Sequence, residues 1–187
     1  MTPLTSTADH VARTITAMAG AGAVARDDQL AAVQALVDDR RRVLVVQATG
    51  WGKSAVYWAA TAALRAQGHG PTLVVSPLLA LMRDQVSAAT RAGLRSATIN
   101  STNADEWGAV FDQMANDTLD VLLISPERLA SASFASRIEA LAGGIGLLVV
   151  DEAHCISDWG FDFRPDYQRI AKVLLNTNAP VLATTAT

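Results

Sequence analysis

Val43-Leu44-Val45-Val46 is an unbroken apolar, β-branched run that passes directly into Gln47-Ala48-Thr49-Gly50-Trp51-Gly52-Lys53-Ser54 and then into an alanine-rich helical pattern. A strand with no polar face has to be buried on both sides, which points to a parallel sheet covered by helices. The same alternation continues along the chain. Strands are predicted at 72–76, 97–100, 120–125, 146–150 and 180–184, and helices at 53–66, 78–92, 105–115, 127–141 and 165–175. Ahead of the first strand, Leu30, Val33 and Val37 share the inner face of a helix over 28–39. A short leading helix carries Val11, Ile15 and Met18 on one face, with Thr7 or Asp9 as its cap. Repeated strand-helix units of this kind predict an α/β fold, a mostly parallel sheet with helices on both faces.

At 187 residues and 50% apolar, the chain can bury one sizeable core, and no Pro- or Ser-rich linker divides it. Residues 1–25 read as a leading helix and loop, and 26–187 as the main lobe. A net charge of −3 argues against a protein that grips nucleic acid through a broad basic surface, so any such contact should be local. Lysine stands only at Lys53 and Lys172, which singles out the one inside the glycine-rich loop. The lone Cys155 excludes a disulfide within the chain, argues against a cysteine zinc site and suits a reducing compartment. No apolar run approaches the roughly 20 residues that span a bilayer. Asp9 and His10 interrupt the region where a secretory leader would be apolar. The expectation is a soluble, intracellular protein without a membrane partner.

The loop from Gln47 to Ser54 has the chemistry of a phosphate cradle. Gly50 and Gly52 permit close backbone approach, Lys53 can reach β- and γ-phosphates, and the Ser54 hydroxyl can ligate Mg²⁺. A plain glycine turn between strand and helix is the alternative, since the strict pattern opens on Gly where this chain has Gln47. Asp151-Glu152 follows the apolar run 147–150, so both carboxylates should emerge at a strand's carboxyl end, where open α/β sheets bind ligands. Asp151 is read as the Mg²⁺ residue and Glu152 as the base that orients and deprotonates an attacking water. Beyond them, Trp159, Phe161 and Phe163 stand two residues apart beside Gly160, Arg164 and Pro165. Exposed aromatics in such a loop can stack bases, or they can pack against a neighbouring lobe. Two further strand ends leave through Ser76-Pro77 and Ser125-Pro126, which read as helix caps whose N-termini suit phosphates, with Arg83 and Arg128 nearby.

In order and spacing, residues 26–187 resemble the first motor lobe of RecQ-type DNA helicases of superfamily 2. Arg26-Asp27-Asp28-Gln29 resembles the adenine-recognising segment and 48–54 the nucleotide loop, with Thr49, Gly50, Trp51, Gly52, Lys53 and Ser54 in the binding positions. Ser76 to Gln85, Asn100-Ser101, Ser125 to Leu129 and Thr184 to Thr187 match further motifs in order. The most specific element is the Cys-Ile-Ser…Trp-Gly…Asp-Phe-Arg-Pro…Tyr continuation of Asp151-Glu152-Ala153-His154. The resemblance implies a RecA-like P-loop NTPase lobe that uses ATP and Mg²⁺, with adenine contacts from Arg26 and Gln29. It also implies DNA contact or coupling through Ser76, Arg83, Asn100, Arg128, His154, Trp159, Phe161, Phe163 and Arg164. The implied activity is ATP-driven 3′ to 5′ movement on single-stranded or forked DNA, with duplex unwinding, in DNA repair or recombination. The implied location is cytoplasmic, nucleoid-associated in a bacterium.

The chain departs from the family pattern at Ala25, Gln47-Ala48, Trp51, Asp158 and Phe161. Thr187 falls inside the motif that joins the two lobes of such motors, so a second RecA-like lobe is expected in cis in the full-length protein. Without that lobe's arginine finger, worth about 10³ to 10⁵ in rate in related systems, this polypeptide is expected to bind Mg-ATP weakly and to turn it over poorly. The alternative is a non-catalytic nucleotide- and DNA-binding module. A small-molecule kinase on the same loop would leave the aromatic segment without a task.

Overall fold

The structure, a computed structural model, describes residues 5–77, 79–100, 103–157 and 177–186. Among them, β1 (Arg42–Val46), β2 (Thr72–Val75), β3 (Ser96–Ile99), β4 (Val121–Ile124), β5 (Leu147–Val150) and β6 (Val181–Thr185) form one sheet in the order β1-β6-β5-β2-β4-β3. Every pairing is parallel. The helices are α1 (Thr7–Ala19), α2 (Asp27–Val37), α3 (Lys53–Ala66), α4 (Leu79–Arg91), α5 (Trp107–Ala115), α6 (Ala132–Leu141) and the single turn α7 (His154–Ser157). The predicted helix over 165–175 lies outside the described residues.

Alternating side chains of the inner strands β2, β4 and β5 serve two separate cores. By contrast β1, expected to be buried on both sides, buries only Val45, because it lies at the sheet edge among the described residues and Leu44 and Val46 face outward. Val74, Val121, Leu123, Leu147 and Val149 join Val45 and Leu182 in a cluster with α1 to α4. Their neighbours Leu73, Val75, Leu122, Ile124, Leu148 and Val150 pack on the opposite face with Val110 and Met114 of α5 and Phe134 and Ile138 of α6. Successive side chains on a strand point to opposite faces, so a strand apolar at every position demands cover on both. Right-handed crossovers then place α3 and α4 on one face and α5 and α6, on the return path, on the other.

Among the described residues helix α3 is the most enclosed, with Ala55 to Thr61, Ala63 and Leu64 all buried. It lies between the sheet and a second layer made by α1 and α2, which accounts for its apolar character all round. Its alanines let neighbouring backbones approach, while Tyr57 and Trp58 fill the remaining space edge to face, with ring centroids 4.4 Å apart. Truncating Trp58 to Ala at full burial should cost about 3–5 kcal/mol.

Three local expectations are corrected. Ser6 caps α1 instead of Thr7 or Asp9: its hydroxyl accepts from the Asp9 N–H, and the Asp9 carboxylate accepts from the Ser6 N–H in return. The predicted helix over 127–141 is two pieces, a 3₁₀ segment Pro126–Ala130 and α6, separated by Ser131 in extended backbone. Ser125 precedes that segment without a side-chain capping bond, so the tight turn rests on backbone contacts such as Arg128 N–H to Ser125 O at 3.1 Å. The third correction is at 105–115, which begins with a 3₁₀ turn, Ala104–Glu106, before α5.

Candidate nucleotide site

All six strands run the same way, so the segments after β1, β2, β3, β4, β5 and β6 leave from one edge of the sheet. That edge gathers Gln47 to Lys53, Ser76, Asn100, Ser125, Asp151-Glu152 and Thr185. Between β1 and β5 lies only β6, a lateral separation of about 10 Å for two strand spacings. The end of β6 ties both sides together. Gln47 N–H donates to Thr185 O at 3.0 Å, Ala153 N–H donates to Thr184 O at 2.8 Å, and Thr184 Oγ1 donates to Asp151 Oδ1 at 2.6 Å.

The loop between β1 and α3 turns on two left-handed glycines, Gly50 at φ +84° and Gly52 at φ +99°. Gly52 is also the residue from which α3 starts. Lys53 folds back over the loop, its Nζ donating to Gln47 O at 2.6 Å and to Ala48 O at 3.3 Å. Thr49 and Gly50 are exposed, and Trp51 to Ser54 are half-buried. The loop is braced from α2, where the buried Gln29 donates through Nε2 to Trp51 O at 3.2 Å and accepts at Oε1 from Arg26 N–H at 3.0 Å. Beside it lies a cavity of about 320 Å³ lined by Met18, Val24, Arg26, Gln29, Gly50 and Trp51 among others. Arg26 is exposed at its rim.

The paired carboxylates diverge. Glu152 has φ +51°, a left-handed backbone uncommon outside glycine, and its N–H donates to Asp151 Oδ1 at 3.1 Å. Asp151 still pairs with β2 through its N–H to Val75 O at 2.9 Å and continues the strand alternation onto the face of α3 and α4, where Gln85 Nε2 donates to its Oδ2 at 2.8 Å and Ser76 Oγ lies 3.5 Å away. Glu152 instead faces His154, with Oε2 3.3 Å from Nδ1, and the same nitrogen lies 3.0 Å from Thr185 Oγ1. Strained backbone of this kind concentrates where side-chain direction matters for function.

The remaining predicted residues fall in different settings. Ser76 is fully buried and directed at Asp151. Arg83 is exposed on α4, and Asn100 is half-buried after β3, its N–H donating to Asn103 Oδ1 at 2.9 Å. The Arg128 guanidinium lies 5.7 Å from the centre of the Trp107 ring, a cation-π arrangement. Trp159, Phe161, Phe163 and Arg164 lie outside the described residues. The sequence reading passed over Gln85 and Tyr57 as site residues. Gln85 shares the buried face of α4 with Met82, Ala88 and Ala89, and a polar residue on an apolar helical face is the signal that it has a partner. Tyr57 lies one turn beyond Lys53 on α3, and burial, then the nearby Asp151 charge, push its phenol well above its usual value.

Among the described residues no group of three or more His, Cys, Asp or Glu could enclose a metal ion. Ser54 and Asp151 offer one hydroxyl and one carboxylate, the sparse set of hard oxygen donors that suits Mg²⁺ carried on phosphates and water. The residues present therefore fit that ion.

A glycine loop opening a helix beside a strand-end carboxylate pair, on a parallel sheet covered on both faces, defines a RecA-like lobe of the P-loop class. Residues 26–187 match the DEAD/DEAH box helicase family, and the chain belongs to it. It is 36% identical to the ATP-dependent helicase SGS1 of Saccharomyces cerevisiae, over 87% of this chain and 12% of that protein. It is 34% identical to the ATP-dependent DNA helicase RecQ of Bacillus subtilis, over 87% of this chain and 27% of that protein. The chain thus spans about an eighth to a quarter of the length of these relatives. In fold it is similar to the SWI2/SNF2 ATPase core of Sulfolobus solfataricus, with a TM-score of 0.65 at 16% identity, over 88% of this chain and 32% of that one.

Proposed function

We propose that this chain is the ATP-binding lobe of a DNA helicase that couples Mg-ATP hydrolysis to 3′ to 5′ movement on single-stranded DNA and to duplex unwinding. One observation supports this reading above the others: the Gln47–Lys53 loop and Asp151-Glu152 share one sheet edge, and adjacent residues at the end of β6 bond to each side, Thr185 O to the Gln47 N–H of the loop and Thr184 Oγ1 to Asp151. In this reading the loop amides and Lys53 hold the phosphates, and Arg26 and Gln29 border the base. Ser54 and Asp151 hold Mg²⁺, which when bound neutralises phosphate charge. Glu152 orients and deprotonates the water. DNA contact falls to Arg83, Asn100 and Arg128, and to Trp159, Phe161, Phe163 and Arg164. Ser76 and His154 couple those contacts to the carboxylates. A second RecA-like lobe in cis completes the motor, on single-stranded or forked DNA, in the cytoplasm or nucleoid. No helix among the described residues is long and apolar enough to cross a membrane.

A second reading, nucleotide and DNA binding without turnover, draws on Lys53 being held by Gln47 O and Ala48 O, which take two of the three ammonium hydrogens. Both readings require nucleotide binding that Lys53→Ala abolishes, measured by calorimetry on this chain. A polypeptide extended through a second lobe separates them: DNA-stimulated ATP hydrolysis supports the motor, and binding without turnover supports the module. Unchanged nucleotide affinity in Lys53→Ala sinks both.

A further inference from the structure

Gln85 lies in the interior of α4, within the buried face it shares with Met82, Ala88 and Ala89. A buried amide on an apolar face is costly unless its hydrogen bonds are made. Here only one end is satisfied. The Nε2 group donates to Asp151 Oδ2 at 2.8 Å and to the Tyr57 hydroxyl at 3.3 Å, using both amide hydrogens. The Oε1 atom is buried without a hydrogen-bond partner.

The choice of which end faces inward follows from which atoms can donate. Turning the amide over would set Oε1 against the carboxylate oxygen of Asp151, two acceptors with no hydrogen between them. The Tyr57 hydroxyl could donate to an oxygen in that position, yet it receives a hydrogen instead. The Asp151 carboxylate oxygen, an acceptor only, therefore faces the amide N–H, and Oε1 is left unsatisfied on the other side. A methionine would fill the same volume without an orphaned atom, so packing does not explain a glutamine here.

We infer that Gln85 is a positioning residue for Asp151, fixing the direction of Oδ2 and linking helix α4, with Arg83 exposed two residues earlier, to the carboxylate assigned to Mg²⁺. This role rests on the nucleotide reading above. The carboxylate is held from four places: Thr184 of β6 and the Glu152 N–H on Oδ1, and on Oδ2 Gln85 of α4 at 2.8 Å with the Ser76 hydroxyl, at the end of β2, farther off at 3.5 Å. Of these, Gln85 is the contact that belongs to neither a strand end nor its own turn. A shift of α4 along its axis would thus reach Asp151 through a single side chain.

The test is a titration of N-methylanthraniloyl-ADP against the 187-residue chain, in EDTA and across a Mg²⁺ series, with circular dichroism as the folding control. In Gln85→Met the Mg²⁺ concentration that gives half of the affinity gain should rise about 10-fold or more, the usual effect of losing an outer-shell partner. Affinity in EDTA should stay within about 2-fold, because the loop that holds the phosphates is untouched. In an Asp151→Asn background, Gln85→Met should change the Mg²⁺ response no further. If Gln85→Met fails to fold, Gln85→Asn, which keeps the amide but shortens its reach, should show the same loss. Three results would overturn the assignment: a wild-type Mg²⁺ response in a folded variant, an equal loss in EDTA, or a further loss without the Asp151 carboxylate. A wild-type chain that binds no nucleotide at all sinks the nucleotide reading, and this role with it.

Discussion

Thr184 Oγ1 donates to Asp151 Oδ1 at 2.6 Å from a fully buried position, so the last residues of β6 hold the carboxylate at the end of β5. Hydrogen bonds from hydroxyls to carboxylates are short and contribute about 1.5–3 kcal/mol. Thr184→Val preserves shape and removes the donor. It should lower unfolding stability by about 1–3 kcal/mol in urea, whereas Thr184→Ser should retain most of it. Equal stability of Thr184→Val and the wild type would show that the hydroxyl contributes nothing.

Gly52 combines a left-handed φ of +99° with a crowded side: a Cβ added there would meet Gln29 Nε2 at 2.7 Å. Gly52→Ala should therefore displace Gln29 from Trp51 O and distort the start of α3, costing about 1–3 kcal/mol from backbone strain. Gly50, at φ +84° with open space around it, carries the strain without the collision. Nucleotide affinity measured by calorimetry should fall further in Gly52→Ala than in Gly50→Ala.

Away from the site, Asp120 receives Arg65 Nε at 2.9 Å and Arg95 Nη2 at 2.8 Å. Burial pushes its carboxyl up, but hydrogen bonds from the Arg95 side chain and backbone and from Arg65 outweigh it, bringing the value down from 3.8 to about 2. A depressed carboxyl favours the folded state above its ordinary value, and that contribution disappears as pH falls from about 4 to about 2. Allowing for solvent around the half-exposed Arg95, Asp120→Asn should cost about 1–2 kcal/mol at neutral pH. It should also flatten the loss of stability in acid, read from melting temperature against pH.

The strands were legible in the sequence to within about a residue or two, because each is a short apolar run between polar or turn residues, and Lys53–Ala66 appears as a helix over the same span. Lys53, Asp151 and Glu152 were legible as candidates because phosphate chemistry restricts which residues can follow a buried strand. Ser131 was not recognisable as a break, since the apolar spacing runs through 127–141 regardless of whether one serine turns extended. Gln85 ends the Ser76 to Gln85 motif, but nothing in that motif marks it as a partner of Asp151. A contact from α4 to the end of β5 is set by how a helix rests on a sheet, which no local pattern encodes.

Leu44 and Val46 remain 63% and 52% exposed on one face of β1, an edge strand among the described residues. An exposed apolar pair on a strand edge invites association between chains. Leu44→Lys with Val46→Lys should suppress concentration-dependent light scattering, with stability within about 0.5 kcal/mol of wild type. Unchanged scattering would place the sticky surface elsewhere.

Helix α3 begins at Lys53 and runs on as the centre of the larger core, walled by the sheet on one side and by α1 and α2 on the other. A rod clamped along its whole length cannot slide or tilt without disturbing every layer around it. Lys53 and Ser54, at the end of that rod, are thereby fixed relative to the sheet, so the loop of 47–52 is anchored on its far side to the stiffest part of the lobe.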